Sequence, residues 1–181
     1  MRERIFIEGQ NIFLRALEKD DIYNNYIHWF DNSEVCKMNS HHRFPKSRES
    51  MLKYIENSYN SVNQLILAII HTKEKTHIGN ISLQNINYIN RSSELAIIIG
   101  EKEYWGKGYG KEAATLIINH GFLHLNMNRI YCGTFVENSG MIKLAEALGF
   151  RKEGIRREAE FKNGKYTDII EFGLLKSEWL K

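Results

Sequence analysis

Three glycines stand within five positions at Gly106, Gly108 and Gly110, in the stretch EKEYWGKGYGKEAA between an apolar run and an amphipathic one. Glycine adopts positive φ readily and lets backbone amides approach a ligand closely. Several amides that face one way form a nest for an anion, and a following helix adds the positive end of its dipole. The spacing therefore indicates a phosphate or pyrophosphate site, although a glycine-rich turn from strand to helix explains three glycines equally well.

The same spacing excludes two other nucleotide motifs. A P-loop needs Ser or Thr directly after Gly-Lys, whereas Lys111 is followed by Glu112. A dinucleotide-binding fingerprint has its third glycine three positions after the second, whereas Gly110 follows Gly108 after two. Neither nucleotide hydrolysis nor dehydrogenase chemistry fits this loop.

A candidate general base is Glu94, a carboxylate at the start of the otherwise apolar run SELAIII. Burial there would raise the pKa of Glu94 toward neutrality. An alkylamine is protonated at neutral pH, so its attack on an acyl group requires a base to remove a proton. A structural ion pair with Arg91 or with a lysine is the alternative role for Glu94, and it stays open at this point.

The run that contains Glu94 has the two-residue period of a strand. One face carries Leu95, Ile97 and Ile99, and the other carries Glu94, Ala96 and Ile98. Because both faces are apolar except at Glu94, we expect a strand in the middle of a sheet with helices against both sides.

The elements that position these residues alternate between strands and helices. NIFLRAL predicts a strand, residues 20–30 a helix, and residues 31–46, which include the only proline, a loop. A helix follows from Ser47 to Tyr59, and QLILAII and HIGNISLQNI predict a hairpin. The glycines lead into a helix, then the strand RIYCGTFV, a helix that ends at Gly149, and two strands around Asn163-Gly164. The order β-α-α-β-β-β-α-β-α-β-β predicts one α/β domain over residues 1–181 with a mixed sheet.

Composition narrows the class of protein. Lys and Arg exceed Asp and Glu by 25 to 22, and a net charge of +3 is too small to indicate nucleic acid. The two cysteines, Cys36 and Cys132, form no CxxC motif, which argues against a disulfide scaffold and fits a cytoplasmic location. No apolar run approaches the roughly 20 residues that span a bilayer, so we expect no membrane association. No metal site is predicted, because the histidines lack further ligands at suitable spacing.

Several segments of the sequence resemble a known protein family. EYWGKGYGKEAATLIINHGF resembles the coenzyme A loop and helix of the GNAT superfamily of acyl-CoA N-acyltransferases, and VENSGMIKLAEALGFRKEG resembles the helix and strand that close that fold. IFLRALEKDD and GKYTDIIEFGLL also fit, so the resemblance covers nearly the whole chain. Within the superfamily, the sequence most resembles the branch that contains ribosomal-protein N-terminal, spermidine and amino-sugar acetyltransferases. One departure is Trp105, which stands where the superfamily loop usually begins with Gln or Arg.

The resemblance implies acetyl-CoA as co-substrate, no metal, and a central pair of strands that splay apart. The pantetheine arm would add to the free edge of SELAIII as a pseudo-strand, and backbone amides near Ile97 to Ile99 would stabilise the oxyanion of the tetrahedral intermediate. An acidic residue often acts at the position of Glu94. The cofactor-binding residues implied in this way are Ile97, Ile98, Ile99, Trp105, Gly106, Lys107, Gly108, Tyr109, Gly110, Lys111 and Asn138.

The helix after RIYCGTFV departs from the family pattern. Many relatives carry a tyrosine there that protonates the departing thiolate, and this chain has Ala145. Tyr131 and Ser139 are substitutes worth testing, although an aromatic residue in a strand is more often part of the core. Asn138 matches a cofactor contact of the family, but Asn138 or Ser139 equally suits the cap of the next helix. We therefore assign no general acid.

The acceptor amine is the least determined part of the prediction. The loop CKMNSHHRFPK, on the acceptor side in this family, offers His41, His42 and Arg43 as substrate contacts and contains no acidic residue. Such a loop attracts an anion, which favours a nucleotide-linked amino sugar over a protein N-terminus, with a polyamine third. A solvated basic surface without a ligand is an equal alternative. Non-catalytic binding of acyl-CoA or a metabolite is the other class of function, and the sequence is compatible with a homodimer.

Overall fold

The computed structural model describes residues 4–180, which build one mixed sheet of eight strands in the order β1-β2-β3-β4-β5-β6-β8-β7. Neighbouring strands in this part of the chain pair antiparallel, except for β5 and β6, which run parallel. The strands are β1 (Ile7–Glu8), β2 (Ile12–Ala16), β3 (Leu65–His71), β4 (His77–Asn87), β5 (Ser92–Ile99), β6 (Arg129–Phe135), β7 (Arg151–Lys162) and β8 (Lys165–Leu175).

Within residues 4–180, five α-helices and two 3-10 helices accompany these strands. The α-helices are α1 (Tyr26–Trp29), α2 (Arg48–Tyr59), α3 (Tyr109–Leu123), α4 (Ser139–Ala147) and α5 (Lys176–Trp179), and the 3-10 helices are Lys19–Tyr23 and Lys102–Tyr104. The predicted start of α2 is confirmed, because the Ser47 hydroxyl accepts a hydrogen bond from the Ser50 amide. None of the helices within residues 4–180 combines the length and the apolar character that a membrane crossing needs.

The predicted helix over residues 20–30 is wrong as a single element. It forms as the 3-10 helix Lys19–Tyr23 and the four-residue α1, and Asn24 between them is extended with φ −94° and ψ −167°. Asn24 and Asn25 are residues whose side chains compete with the helical backbone for hydrogen bonds. Asp21 adds a second reason, because its buried carboxylate bonds to Arg15 instead of facing solvent.

The two faces of the sheet are packed differently. One face lies under α3 and α4, and its core draws residues from strands β2 to β6 and β8. The other face packs α1, α2 and the chain before them against β2 and β3, and β6 and β8 give no described residue to that core. The expected arrangement of Leu95 and Ile97 on one face and Ile98 on the other is confirmed. Except at Ile98 of β5, the half of the sheet beyond β4 leaves the face opposite α3 and α4 outside both cores, and this is the open face of the sheet.

The parallel pair β5 and β6 opens like a V. Backbone pairing joins only Ser92 to Arg129, Ser93 to Ile130 and Glu94 to Tyr131, although β5 continues to Ile99 and β6 to Phe135. The splayed central pair that the family resemblance implied is therefore present. Beyond Glu94, the edge of β5 that faces β6 carries backbone groups without a recorded strand partner.

Candidate active site

The glycine-rich loop has the backbone conformation that its sequence predicted at two of its three glycines. Gly106 has φ +71° and Gly108 has φ +87°, and a Cβ at either residue would meet no atom within 4 Å. Glycine is therefore required there by the left-handed backbone and not by packing. Gly108 caps α3, a helix of 15 residues, so open space lies at the positive end of a helix dipole.

Gly110 serves a different purpose. Its φ is not positive, and a Cβ there would make ordinary contacts at 3.6 Å with Ile97 Cδ1 and 3.9 Å with Ile99 Cγ1. Gly110 thus lies within α3 against β5, and the prediction that it needs a left-handed backbone is wrong. Lys107 and Lys111 are exposed on either side of Gly110, and Lys107 Nζ lies 5.6 Å from the centroid of the Tyr104 ring.

Trp105 connects the loop to the open edge of β5. Its indole N–H donates to the Ile99 carbonyl oxygen at 2.8 Å, while 41% of the residue stays exposed. The loop therefore starts at a fixed point over the end of the strand.

The backbone groups of β5 alternate between β4 and the open edge. A Cβ at Gly79 on β4 would collide with the Ile98 carbonyl oxygen, so the backbone of Ile98 faces β4. The amides and carbonyls of Ile97 and Ile99 consequently face the open edge, and the Ile99 carbonyl is the one that Trp105 occupies. Any contribution of Ile98 to a ligand would come from its side chain.

Glu94 lies at the last paired position before β5 and β6 diverge. Its Oε2 accepts a hydrogen bond from Asn85 Nδ2 at 2.9 Å. The ion pair with Arg91 considered from the sequence is not formed, since Arg91 donates to the Asn126 backbone oxygen at 2.8 Å and to Asn126 Oδ1 at 2.6 Å. Within residues 4–180, no cation is recorded within 4 Å of the Glu94 carboxylate.

Tyr131 on β6 is the direct neighbour of Glu94 in the register. Burial, and then the negative charge of Glu94, raise the pKa of Tyr131, so its phenol stays protonated at neutral pH. Ser139 is exposed at the start of α4, whereas Ala145 is 1% exposed and packs in the core under that helix. Two hydroxyl groups therefore remain in this region, and Ala145 provides ordinary packing.

Asn138 makes the cap that the sequence allowed. Its Oδ1 accepts from the Met141 amide at 3.1 Å, and its Nδ2 donates to the Met38 carbonyl at 3.3 Å. The side chain thereby ties the start of α4 to the loop over residues 31–46. A contact between Asn138 and the cofactor stays a prediction.

Three residues of that loop, His41, His42 and Arg43, are engaged within the protein. Arg43 forms an ion pair with Glu160 at 2.5 Å and donates to the Phe161 carbonyl at 2.9 Å. His42 Nδ1 lies 2.9 Å from the Phe30 carbonyl oxygen, and the ring of His41 packs edge-on against Phe30. Burial, then the charges of Lys46 and Lys162, lower the pKa of His41, so its ring is neutral at pH 7.

The hairpin of β7 and β8 also binds the loop over residues 31–46 through a lysine. Lys162 Nζ donates to the carbonyls of Asn39 at 2.9 Å and His41 at 2.5 Å. The loop thus forms one wall of the open sheet face, and its Arg43 is compensated by Glu160.

The floor of that face contains residues that the sequence gave no reason to single out. Ser82 is 5% exposed and accepts from Gln84 Nε2 at 2.8 Å. Gly133 and Glu171 are register partners on β6 and β8, and Glu171 Oε1 lies 3.2 Å from the position of a Cβ at Gly133. On the opposite face of β6, in the core under α3 and α4, burial first and then the charges of Glu171 and Glu94 raise the pKa of Cys132 to about 12, which leaves an inert thiol. Only strand pairing reveals this grouping, because its members are distant in sequence.

The match to known proteins is consistent with this geometry. The model of the acetyltransferase (GNAT) domain matches residues 11–151. The chain belongs to the GNAT family. A spermidine N(1)-acetyltransferase of Vibrio cholerae is 33% identical over 172 residues, covering 95% of this chain and 97% of that protein. A putative ribosomal N-acetyltransferase of Bacillus subtilis is 30% identical, covering 73% of this chain and 70% of that protein.

Solved GNAT structures superpose closely. A crystal structure of spermidine N-acetyltransferase from Vibrio cholerae, in complex with CoA and spermine, has a TM-score of 0.86 at 29% identity and covers 94% of this chain and 99% of that one. The protein is therefore an N-acetyltransferase that uses acetyl-CoA as co-substrate. Within residues 4–180, no group of three or more His, Cys, Asp or Glu side chains is placed to hold a metal ion.

Proposed function

We propose that this GNAT protein acetylates a primary amine by direct attack on acetyl-CoA in a ternary complex, with Glu94 as general base. The observation that carries this proposal is the position of Glu94, at the apex of the V between β5 and β6 with no ionic partner recorded in the described chain. A carboxylate that no cation neutralises is free to accept a proton from an ammonium group.

The residues present fit acetyl-CoA, which supplies an activated acyl thioester. Gly106 and Gly108 leave room for phosphate oxygens at the start of α3, and Lys107 and Lys111 add positive charge there. The open edge of β5 offers the Ile97 backbone groups and the Ile99 amide to an extended arm. The contacts of Trp105, Tyr109 and Asn138 with the cofactor belong to the same proposal.

The proton transfers follow from these positions. Glu94 takes the proton of the attacking amine, and an amide of Ile97 or Ile99 hydrogen-bonds the oxyanion of the tetrahedral intermediate. When the carbon–sulfur bond breaks, the thiolate takes a proton from water or from the newly formed ammonium. Tyr131 and Ser139 are the hydroxyl groups to test as donors, and no general acid is assigned.

For the acceptor, a polyamine now has the strongest support. The Vibrio cholerae relative is named for spermidine. The earlier preference for an anion rested on a free basic loop, and Arg43 is paired with Glu160. Glu94 and Glu171 bring negative charge to the open face, although Arg156 lies 2.5 Å from Glu171. An ammonium-bearing chain suits a face whose unpaired charge is negative.

A nucleotide-linked amino sugar remains the second candidate. The neutral groups of Ser82, Gln84 and Asn85 lie near Glu94 on the same part of the sheet and can exchange hydrogen bonds with hydroxyl groups. A protein N-terminus is the third candidate, and the His41, His42 and Arg43 segment would then line the peptide's path.

A competition assay tests the proposal. Acetyl-CoA is offered with spermidine, a UDP-amino sugar and an N-terminal peptide together, and products are identified by mass spectrometry while free thiol is followed. We expect acetylated spermidine as the main product. The sugar or peptide as sole product would reject the polyamine, whereas bound CoA with no thiol release for any amine would favour a non-catalytic binding module.

Two further properties belong to this proposal. A cytoplasmic location fits Cys36 and Cys132, which are both free and buried. Self-association also needs a direct measurement, since the Vibrio cholerae enzyme has been solved in a dodecameric state, with a TM-score of 0.78 to this chain. Sedimentation would distinguish a monomer, a homodimer and a dodecamer.

A further inference from the structure

A cluster of aromatic and titratable side chains lies behind the glycine-rich loop, at the end of β3. His71 is 8% exposed, and its Nε2 lies 3.2 Å from the Tyr109 hydroxyl oxygen. Its Nδ1 lies 3.4 Å from both the amide nitrogen and Oε2 of Glu74. Tyr104 donates its hydroxyl hydrogen to the same Glu74 oxygen. None of these contacts takes part in the chemistry proposed for Glu94.

The hydrogen bonds fix the orientation of the imidazole. The Glu74 amide donates to Nδ1, so in the neutral ring Nδ1 is the acceptor and Nε2 carries the hydrogen. Nε2–H then donates to the Tyr109 hydroxyl oxygen. The rings of Tyr104 and Tyr109 lie 5.3 Å and 5.2 Å from His71, centroid to centroid, and enclose it.

Tyr109 is also the first residue of α3, directly after Gly108. The two left-handed glycines of the loop have no neighbours within 4 Å of a Cβ position, so packing does not restrain them. Side-chain hydrogen bonds hold both ends of the loop, Trp105 to the Ile99 carbonyl and Tyr109 to His71. One end is thereby attached to β5 and the other to β3.

We propose that His71, oriented by Glu74 and Tyr104, is a positioning residue that holds Tyr109 and so presets the loop amides for the phosphates of acetyl-CoA. The inference rests on the phosphate role proposed for the loop. A loop that is already ordered loses less conformational freedom on binding, and this raises affinity without adding a contact to the ligand. His71 should therefore affect cofactor affinity and leave the chemical step unchanged.

The test compares Tyr109→Phe, His71→Leu and His71→Gln with the wild type. Tyr109→Phe keeps the ring contacts and loses only the hydroxyl, and we expect CoA to bind about three- to tenfold more weakly, the scale of one hydrogen bond. His71→Leu should weaken CoA at least as much. His71→Gln should recover most of the affinity, because its amide can donate to Tyr109 as Nε2 does.

Isothermal titration calorimetry with CoA gives the dissociation constants, and steady-state kinetics gives KM for acetyl-CoA and kcat. We expect KM to rise with Kd while kcat at saturation stays within twofold. Tyr166→Phe is the matched control, since Tyr166 is 64% exposed on the β7–β8 hairpin. It should leave both constants unchanged.

The outcomes separate this inference from the proposed function. A Kd within twofold of wild type for Tyr109→Phe overturns the positioning role, and this variant is informative even if His71→Leu fails to fold. A fall in kcat without a change in Kd overturns it as well. If Gly108→Val also binds CoA normally, the phosphate role of the loop fails, and the inference falls with it.

Discussion

At the scale of single residues, Glu94 is distinguished by what it lacks. Most carboxylates on the open face have a cationic partner, as Glu153 has Arg129 and Glu171 has Arg156. Glu94 has the neutral amide of Asn85. A hydrogen bond to a neutral group orients the carboxylate and leaves its charge available to an ammonium group, as a base for amine attack requires.

We expect Glu94→Gln to lower kcat by about 10²-fold or more at neutral pH, the usual scale for a positioned acid–base group, because glutamine cannot take the amine proton. The Kd for CoA should change little. Turnover is measured from pH 6 to 9 by thiol release. Glu146→Gln, at an exposed position on α4, is the control and should match the wild type. An unchanged rate for Glu94→Gln across that range would make Glu94 structural.

At the scale of elements, two glycines at the junction of the β5–α3 loop and α3 have different structural roles. Gly108 has positive φ and an empty Cβ position, whereas Gly110 lies in the first turn of α3 with room for a methyl group. The sequence shows only the spacing, and the backbone distinguishes the two positions.

This difference predicts opposite results for two matched variants. Gly108→Ala forces alanine into the left-handed region and places a methyl group where the phosphates are proposed to bind, so CoA should bind at least tenfold more weakly, given about 1–2 kcal/mol for the backbone alone. Gly110→Ala should bind CoA nearly normally and be at least as stable, because alanine favours a helix over glycine. Calorimetry and thermal unfolding measure both. Equal affinities for the two variants would contradict this assignment.

Local signals in the sequence predicted most elements correctly. Asn163 and Gly164 have φ +51° and +79°, as the hairpin signal required, and Gly149 ends α4 with φ +82°. The helix over residues 20–30 failed because Asp21 is drawn inward by Arg15, a tertiary contact with no local signature. The candidate site likewise contains residues that the sequence could indicate and contacts that it could not. The loop glycines and Glu94 have sequence signals, whereas the pairing of Arg43 with Glu160 spans 117 residues and depends on the fold.

At the scale of the whole molecule, Asp21 joins three elements under α1. Arg15 on β2 donates to both Asp21 oxygens, at 2.9 Å and 2.6 Å, and His77 Nδ1 on β4 lies 3.4 Å from Oδ1. Burial alone would raise the pKa of Asp21, but the hydrogen bonds from Arg15 and the adjacent His77 ring hold it well below its usual range. The ionised carboxylate is thus part of the folded state.

The sign of this shift predicts the response to acid. Because the folded pKa of Asp21 is depressed, its contribution is fully present above its unfolded pKa, about 3.9, and is lost progressively as pH falls from that value through the lower folded pKa. Asp21→Asn should cost about 3–5 kcal/mol of unfolding free energy at pH 7, since it removes the buried carboxylate charge that faces the Arg15 guanidinium. The difference from wild type should shrink by pH 3.

Urea unfolding at the two pH values measures this effect. Asp20→Asn is the control, because Asp20 is exposed in the same 3-10 helix and should show no such convergence. A difference between Asp21→Asn and wild type that stays constant from pH 7 to pH 3 would contradict the role given to the Asp21 charge.

The short pairing of β5 with β6 would also make a cofactor bound between them, as proposed, a component of the protein's own stability. Two blocks of sheet, β1 to β5 and β6 with β8 and β7, share three residue pairs across a parallel seam. A ligand that binds this seam in the folded state, and not in the unfolded chain, stabilises the fold by about 2.7 kcal/mol at one hundred times its Kd. Cellular acetyl-CoA would then set how long the enzyme persists as well as how fast it turns over, so that a fall in the acyl donor exposes the protein to unfolding and proteolysis.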